Sequence, residues 1–165
     1  MYTRFANTDV AQVCGEGAVI IDHALTFGGG GCGIAMLIHA AQFGNPPHDP
    51  RDRLSFGYGG AIVRYHFYSR QMVNLGVGAL IGAGGLAIGT LTGSAEDNNQ
   101  DYQPKRTEAL FVFEPQIGAY LNITRWLRVG ASAGYRIVSP VSTPGLSASD
   151  VGGLSVGGRI DIGWF

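Results

Sequence analysis

The sequence predicts an all-β protein, an antiparallel up-and-down β-barrel of about eight strands. Three observations favour this fold: apolar and polar or tiny side chains alternate strictly in the last third of the chain, glycine is abundant while charge is scarce, and the connections alternate between short and long. Together they are typical of a sheet with one apolar and one polar face that closes on itself. A chain of 165 residues is the length of one domain, so residues 1–165 are taken as a single domain.

The composition excludes several other classes of protein. Average usage would give roughly 12 glycines and a quarter of charged residues, whereas this chain has 27 glycines and 14% charged residues. The glycines have no three-residue period, which excludes collagen, and 45% hydrophobic residues disfavour disorder. A formal net charge of -1 gives no indication of a nucleic-acid partner.

The clearest strands lie in the last third of the chain. In the first of them Phe111, Ile117 and Leu121 occupy odd positions, while Glu114 and Gln116 occupy even ones. This period of two lasts roughly a dozen residues, enough to cross a membrane at a tilt. The three segments that show it are 111–123, 127–137 and 154–164.

Softer alternation predicts further strands upstream, and the first is truncated because it is too short to span a membrane. These segments are 2–6, 10–21, 24–40, 54–68 and 73–90. Connections between strands are predicted to be short at 22–23, 69–71 and 124–125, and long at 42–53, 91–108 and 139–150. Short turns at one rim and long loops at the other are typical of outer-membrane barrels.

The polar face of the clearest strands carries charges among glycines and serines. A barrel of eight strands is just wide enough inside to be filled by side chains, so glycines there would make room for arginines paired with carboxylates. This predicts a polar, plugged interior with the apolar face against lipid. A gated polar pathway and a soluble barrel that binds a small apolar ligand are the alternatives. The predicted interior residues are Glu114, Arg128, Arg136, Arg159 and Asp161.

Aromatic residues at strand ends favour the membrane alternative. All of them fall on the short-turn side, as an aromatic girdle at a membrane interface requires. The predicted girdle consists of Phe67, Tyr68, Trp126, Trp164 and Phe165.

The run ALFVFEPQIGAYLNITRWLRVGASAGYRIVS and the ending GGLSVGGRIDIGWF resemble the small outer-membrane β-barrel proteins of Gram-negative bacteria, the OmpA-like and OmpX-like barrels. The resemblance implies a location in the bacterial outer membrane, contact with outer-membrane lipid and lipopolysaccharide, and insertion by the outer-membrane assembly machinery. In this family that machinery reads a C-terminal strand ending in an aromatic residue, here Phe165. Gly163 departs from the pattern, since the signal often has a second aromatic residue there.

The two cysteines flank a tight turn near His23. A hairpin that places residue 22 opposite residue 24 also places Cys14 opposite Cys32, with both side chains on one face. The sequence leaves open a cross-strand disulfide or a free buried pair.

No catalytic residue, metal site or cofactor is predicted. Gly28, Gly30 and Gly33 satisfy the spacing of a dinucleotide-binding loop, but no helix signal follows them. The uncharged segment 73–93 is long enough for a transmembrane helix, although its glycines disfavour one.

The polar loops could still carry chemistry. His39 with Ser139 or Ser142 could imitate the His–Ser pair of a lipid-modifying hydrolase. In the loop around His48, Asp49 and Asp52 a hard cation could bind. For the His–Ser pair no third catalytic residue is identifiable, and a solvated loop is the simpler interpretation of the possible cation site.

Two features conflict with an ideal barrel. Pro115 lies inside a strand, where a bulge is expected because proline has no amide to donate. The segment 1–6 would leave an open seam, and it also lacks the features of a signal peptide. We therefore expect residues upstream of it to complete the first strand.

Overall fold

The computed structural model describes residues 1–5, 8–34, 38–39, 52–92, 101–139 and 148–164. These residues form β-strands and one short helix. The elements are β1 (Tyr2–Phe5), β2 (Thr8–Ile21), β3 (Leu25–Ile34), β4 (Ile38–His39), β5 (Asp52–Phe67), β6 (Val73–Thr92), β7 (Asp101–Asn122), β8 (Leu127–Ser139), α1 (Ala148–Val151) and β9 (Gly153–Ile162). Among the residues described, no helix is long and apolar enough to cross a membrane.

The strands form one antiparallel sheet that closes into a ring. The order is β3-β2-β1-β9-β8-β7-β6-β5-β4, and the pairing of β3 with β5 joins the two ends. β3 and β4 both pair with β5, Gly33 opposite Gly57 and Ile38 opposite Leu54, so they share one position. The ring therefore has eight positions, and the prediction of an all-β antiparallel fold of about eight strands is confirmed.

The tight turns after β2, β5 and β7 lie at one end of the ring, which we call the short-turn end, whereas Phe5 of β1 pairs with Thr8 of β2 at the other end. The turn between β2 and β3 has Asp22 at φ 51 and His23 at φ 57, the left-handed conformation that suits the twist of a hairpin. Between β7 and β8, the Thr124 hydroxyl accepts hydrogen bonds from the amides of Trp126 and Leu127, at 3.2 and 3.0 Å. These local bonds fix where the chain reverses.

The hairpin of β6 and β7 is longer than predicted. In the sequence, alternation stops near residue 90 and resumes near residue 111, which predicts a connection at 91–108. In the structure, β6 and β7 remain paired as far as Thr92 opposite Asp101. That part of the prediction is wrong because hydrogen bonding between strands does not need apolar alternation. The helix considered for 73–93 is wrong as well, since β6 is paired on both sides.

Pro115 causes no bulge. It pairs with Ala79 of β6 in an unshifted register. On the side toward β8, residues 114 and 115 are not paired, and the register is the same before and after this gap. The last pair before it is Phe113 with Ile137, and the next pair is Gln116 with Gly134. A local gap in the ladder is therefore enough to accommodate the missing N–H, and the expected bulge at Pro115 is wrong.

The interior differs between the two halves of the ring. Apolar side chains fill the half away from the short turns, and a prediction of a wholly polar interior is wrong for that half. Polar and charged side chains fill the half toward the short turns, which is where the candidate site lies. The apolar cluster consists of Val10, Leu54, Phe56, Tyr58, Ile62, Leu80, Leu86, Ile88, Leu110, Val112, Val138 and Val151.

Candidate functional site

At mid-height inside the ring lies the buried carboxylate of Glu114, which is 0% exposed. Tyr58 Oη donates to its Oε2 at 2.5 Å, and Ser155 Oγ donates to its Oε1 at 3.0 Å. Gln116 Nε2 donates to the same Oε1 at 3.1 Å. Three donors from three strands thus hold one carboxylate, which acts purely as an acceptor.

Arg136, also 0% exposed, is held by different partners. Its Nε donates to the carbonyl oxygen of Val151 at 3.0 Å, and its two terminal nitrogens donate to Gln12 Oε1 at 3.3 Å and Thr3 Oγ1 at 3.1 Å. Its guanidinium also lies 5.1 Å from the centroid of the Tyr58 ring. It ties β8 to β1, β2 and the end of α1.

Nearer the short turns, carboxylates and guanidinium groups form a second cluster. Arg64 reaches Glu16 through both terminal nitrogens, at 3.1 and 3.3 Å. Arg159 donates to Asp161 Oδ1 from Nε at 2.8 Å and from a terminal nitrogen at 2.6 Å. That terminal nitrogen also donates to Glu16, so this ion pair crosses from β9 to β2.

Gln116 connects the two clusters. Its amide nitrogen donates to Glu114, while its amide oxygen accepts from Arg64 at 3.5 Å. A chain of polar contacts therefore runs along the interior from Tyr58 to the Glu16 carboxylate.

Three glycines make room for the side chain of Tyr120 inside the ring of strands. A Cβ added to Gly76, Gly118 or Gly130 would lie 2.8, 2.7 or 2.6 Å from an atom of the Tyr120 side chain. The sequence had suggested that interior glycines accommodate arginines. Here they surround a tyrosine, against whose ring His66 packs edge-on at 4.9 Å.

Arg128 lies beside this tyrosine at the short-turn end. Its Nε donates to Asn122 Oδ1 at 2.8 Å, and its guanidinium carbon is 6.0 Å from the Tyr120 ring centroid. Asn122 in turn accepts from Asn74 Nδ2 at 3.3 Å. The short-turn end of the interior is thus crossed by hydrogen bonds between side chains.

An interior cavity of about 1060 Å³ adjoins these polar groups. Its wall includes Val19 and Ile160, which lie on the outer face of β2 and β9, and Trp164, which follows β9. The cavity therefore opens sideways between those two strands. Its charged and imidazole lining consists of Glu16, Arg64, His66, Arg128, Arg159 and Asp161.

The structure joins Cys14 and Cys32 by a disulfide, with the two Cα atoms 4.1 Å apart. The two residues are direct partners in the register of β2 and β3. The bond links neighbouring strands on the inner face.

Four of the aromatic residues proposed as a girdle are exposed at the short-turn end. They are Phe67, Tyr68, Trp126 and Trp164, and Phe165 lies outside the described residues. The amide of Gly163 donates to the carbonyl oxygen of Trp126 at 3.0 Å, which brings the end of β9 to the turn between β7 and β8.

Other candidates fall outside the described residues: Ser142, His48 and Asp49, together with the side chains of His39 and Asp52. Among the parts of the chain that are described, no three His, Cys, Asp or Glu side chains group as metal ligands would. The glycines 28, 30 and 33 lie within the extended strand β3. They therefore do not form a phosphate-binding turn.

The sequence prediction missed four central residues, namely Glu16, Tyr58, Arg64 and Tyr120. Each has the same parity as the inward residues of its own strand, which is the signal that could have found them. In β2, for example, Glu16 shares its face with Cys14 and Gln12. Alternation was hard to read there because glycines interrupt it.

Comparisons of the chain with protein-family models, with curated proteins and with solved structures find no match. What the protein does must therefore be inferred from its own geometry.

Proposed function

We propose that this chain is an integral β-barrel protein of the bacterial outer membrane, with a structural or surface-interaction role and a plugged interior. The observation that supports this is an inverted distribution of polarity. Charged side chains such as Arg136 and Glu114 are fully buried, whereas Ile160 and Ile162 are 72% and 78% exposed. Water as the surrounding solvent would favour the reverse arrangement.

The exposed apolar side chains form a band around the ring. A soluble monomer rarely exposes contiguous apolar patches beyond a few hundred Å², and a band that includes nearly every strand suits lipid instead. Its larger members are Tyr2, Val13, Val19, Phe27, Val63, Tyr65, Leu75, Val77, Ile81, Phe111, Ile117, Tyr135, Ile137, Leu154, Val156 and Ile160.

The connections and the aromatic residues favour an outer membrane. Eight ring positions is the even number typical of bacterial barrels, and short turns at one end with an aromatic rim suit the periplasmic side. In this proposal both chain ends face the periplasm and the longer connections face outward. Lipopolysaccharide would be the lipid contact there, and the loop partner stays open.

The interior favours a plug over a pore. The polar cavity lies toward the short turns, and the apolar cluster around Leu54, Leu110 and Val112, each at most 2% exposed, fills the other half. A continuous water-filled path is not favoured by such packing. Charged and imidazole side chains of six residues also line the cavity, which disfavours a binder of small apolar ligands.

Electrophoresis in detergent with and without boiling, with circular dichroism of the same sample, tests the proposal. We expect a β spectrum and a band that migrates faster unboiled, because a closed membrane barrel stays folded in detergent. Folding to the same β spectrum in buffer without any amphiphile would contradict the proposal.

A further inference from the structure

Three guanidinium groups converge on the interior cavity near the short turns. One terminal nitrogen of Arg64 and one of Arg159 donate to the same Oε1 of Glu16, so these two cations lie side by side. The guanidinium carbons of Arg159 and Arg128 lie 5.7 and 6.0 Å from the centroid of the same Tyr120 ring. The three arginines come from β5, β8 and β9 and line one cavity.

The cavity wall carries more positive than negative charge. Among the residues that the structure describes there, the three guanidinium groups are accompanied by two carboxylates, those of Glu16 and Asp161. His66 also lies in the wall, and a proton on its ring would only increase the excess. Two further buried charges, on Glu114 and Arg136, have opposite signs and lie outside this wall. Because like charges repel more strongly inside a protein than in water, an anion in the cavity would be stabilising.

A buried hydroxyl group in the same wall also indicates a ligand. Thr26 is 5% exposed, and its Oγ1 has no hydrogen-bond partner within the described part of the chain. Thr26 lines the cavity and is the direct cross-strand partner of Arg64. A buried hydroxyl without a partner is unfavourable. A ligand oxygen beside Arg64 would accept its hydrogen bond.

We propose that this cavity binds one phosphate group, held by the three arginines and by the Thr26 hydroxyl. Guanidinium groups stay charged and donate parallel pairs of hydrogen bonds to phosphate oxygens. An arginine has five N–H donors, so it can bind a phosphate while it keeps its carboxylate partner. The cavity, at about 1060 Å³, is as large as sites for small molecules, so it has room for more than the phosphate itself.

A soluble phosphate ester and the headgroup of a phospholipid share this chemistry. Trp164, which follows β9, lies in the cavity wall and is exposed at the short-turn end. The cavity therefore reaches the level at which the proposed membrane interface lies. The binding itself does not depend on a membrane, because the charges and the hydroxyl group that carry it are inside the ring.

Calorimetric titration with inorganic phosphate, on the full chain folded in micelles of an uncharged detergent, tests the proposal. We expect saturable binding of one phosphate per protein. Arg128→Met should weaken the binding at least about tenfold, because charge-assisted hydrogen bonds are lost. The matched control Arg125→Met removes the same charge from an exposed turn and should leave the affinity unchanged.

Thr26→Val keeps the shape of the side chain and the charge of the cavity. It should weaken phosphate binding about two- to tenfold, and it tests the site even if Arg128→Met does not fold. Parent protein without saturable phosphate binding would overturn the inference, as would equal affinities in the parent and in both cavity variants.

Two competitors distinguish the sources of the phosphate group. If a lipid headgroup occupies the site, phosphatidylglycerol added to the micelles should abolish the binding of inorganic phosphate. If a soluble ester occupies it, glycerol phosphate should displace inorganic phosphate and the lipid should not. Displacement by neither would overturn the inference. None of these titrations involves the outer face, so this inference can fail while the proposed membrane role stands.

Discussion

Replacing Glu114 with alanine should lower the free energy of unfolding by more than the exchange of a water-exposed side chain usually does. The side chain is 0% exposed and accepts hydrogen bonds from Tyr58, Ser155 and Gln116. Hydrogen bonds to a charged group contribute about 1.5–3 kcal/mol each, and an orphaned buried donor adds its own desolvation cost.

The three donors do not lose equally. Ser155 can still donate to the carbonyl oxygen of Gly134, at 3.2 Å. The amide nitrogen of Gln116 loses its acceptor, although the amide oxygen keeps its contact with Arg64. The Tyr58 hydroxyl loses its acceptor as well. We therefore expect Glu114→Ala to lower the free energy of unfolding by about 3–5 kcal/mol, and Glu114→Gln, which keeps one acceptor oxygen, by about 1–2 kcal/mol.

Urea unfolding in detergent micelles, followed by tryptophan fluorescence, measures both variants against the parent chain. The two values should differ, with glutamine in between. Equal losses for glutamine and alanine, or a loss below about 1 kcal/mol for alanine, would show that this carboxylate does not hold the interior together.

Two further effects follow from the packing. Gly118→Ala places a methyl group 2.7 Å from the Tyr120 hydroxyl oxygen and should lower the free energy of unfolding by about 1–3 kcal/mol. The control is Gly85→Ala, whose added methyl group meets nothing within 4 Å. It should change the free energy of unfolding by less than about 0.5 kcal/mol. Equal urea midpoints for the two would contradict the account of this site. Reducing the bond between Cys14 and Cys32, which are 18 residues apart, should lower the unfolding free energy by about 3 kcal/mol. An unchanged urea midpoint after reduction would contradict this stabilising effect of the disulfide.

Alternation predicted the strands best where large side chains occupied both faces. Residues 127–137 were predicted from the contrast between Leu127 or Val129 and Arg128 or Arg136, and β8 runs through all of them. Each outward apolar residue there sits beside an inward polar one, so the period of two is visible in the sequence alone.

The prediction failed where backbone pairing continues without that contrast. β7 begins at Asp101, although the residues before 109 are mostly polar. Hydrogen bonding to β6 maintains the strand there, and composition carries no trace of it. The inner face was also misjudged in one half, because an inward Leu110 or Val112 looks like any other apolar residue until the ring closes around it.

The contacts of the candidate site depended on the register. Cys14 opposite Cys32 could be foreseen from one hairpin turn. Contacts between distant strands, such as Arg159 with Glu16 or Tyr58 with Glu114, require the order of strands around the whole ring. No local pattern encodes that order.

The most direct measurement of the central claim replaces Ile117, which is 64% exposed on the outer face of β7, with arginine in protein folded into lipid vesicles. If this face meets the hydrocarbon core, the free energy of unfolding should fall by about 2–4 kcal/mol, and the same exchange at Ile123 near the short turn should cost about 0–1 kcal/mol. A loss of less than about 0.5 kcal/mol at Ile117, as for a side chain in water, would contradict the proposal that the apolar band faces lipid.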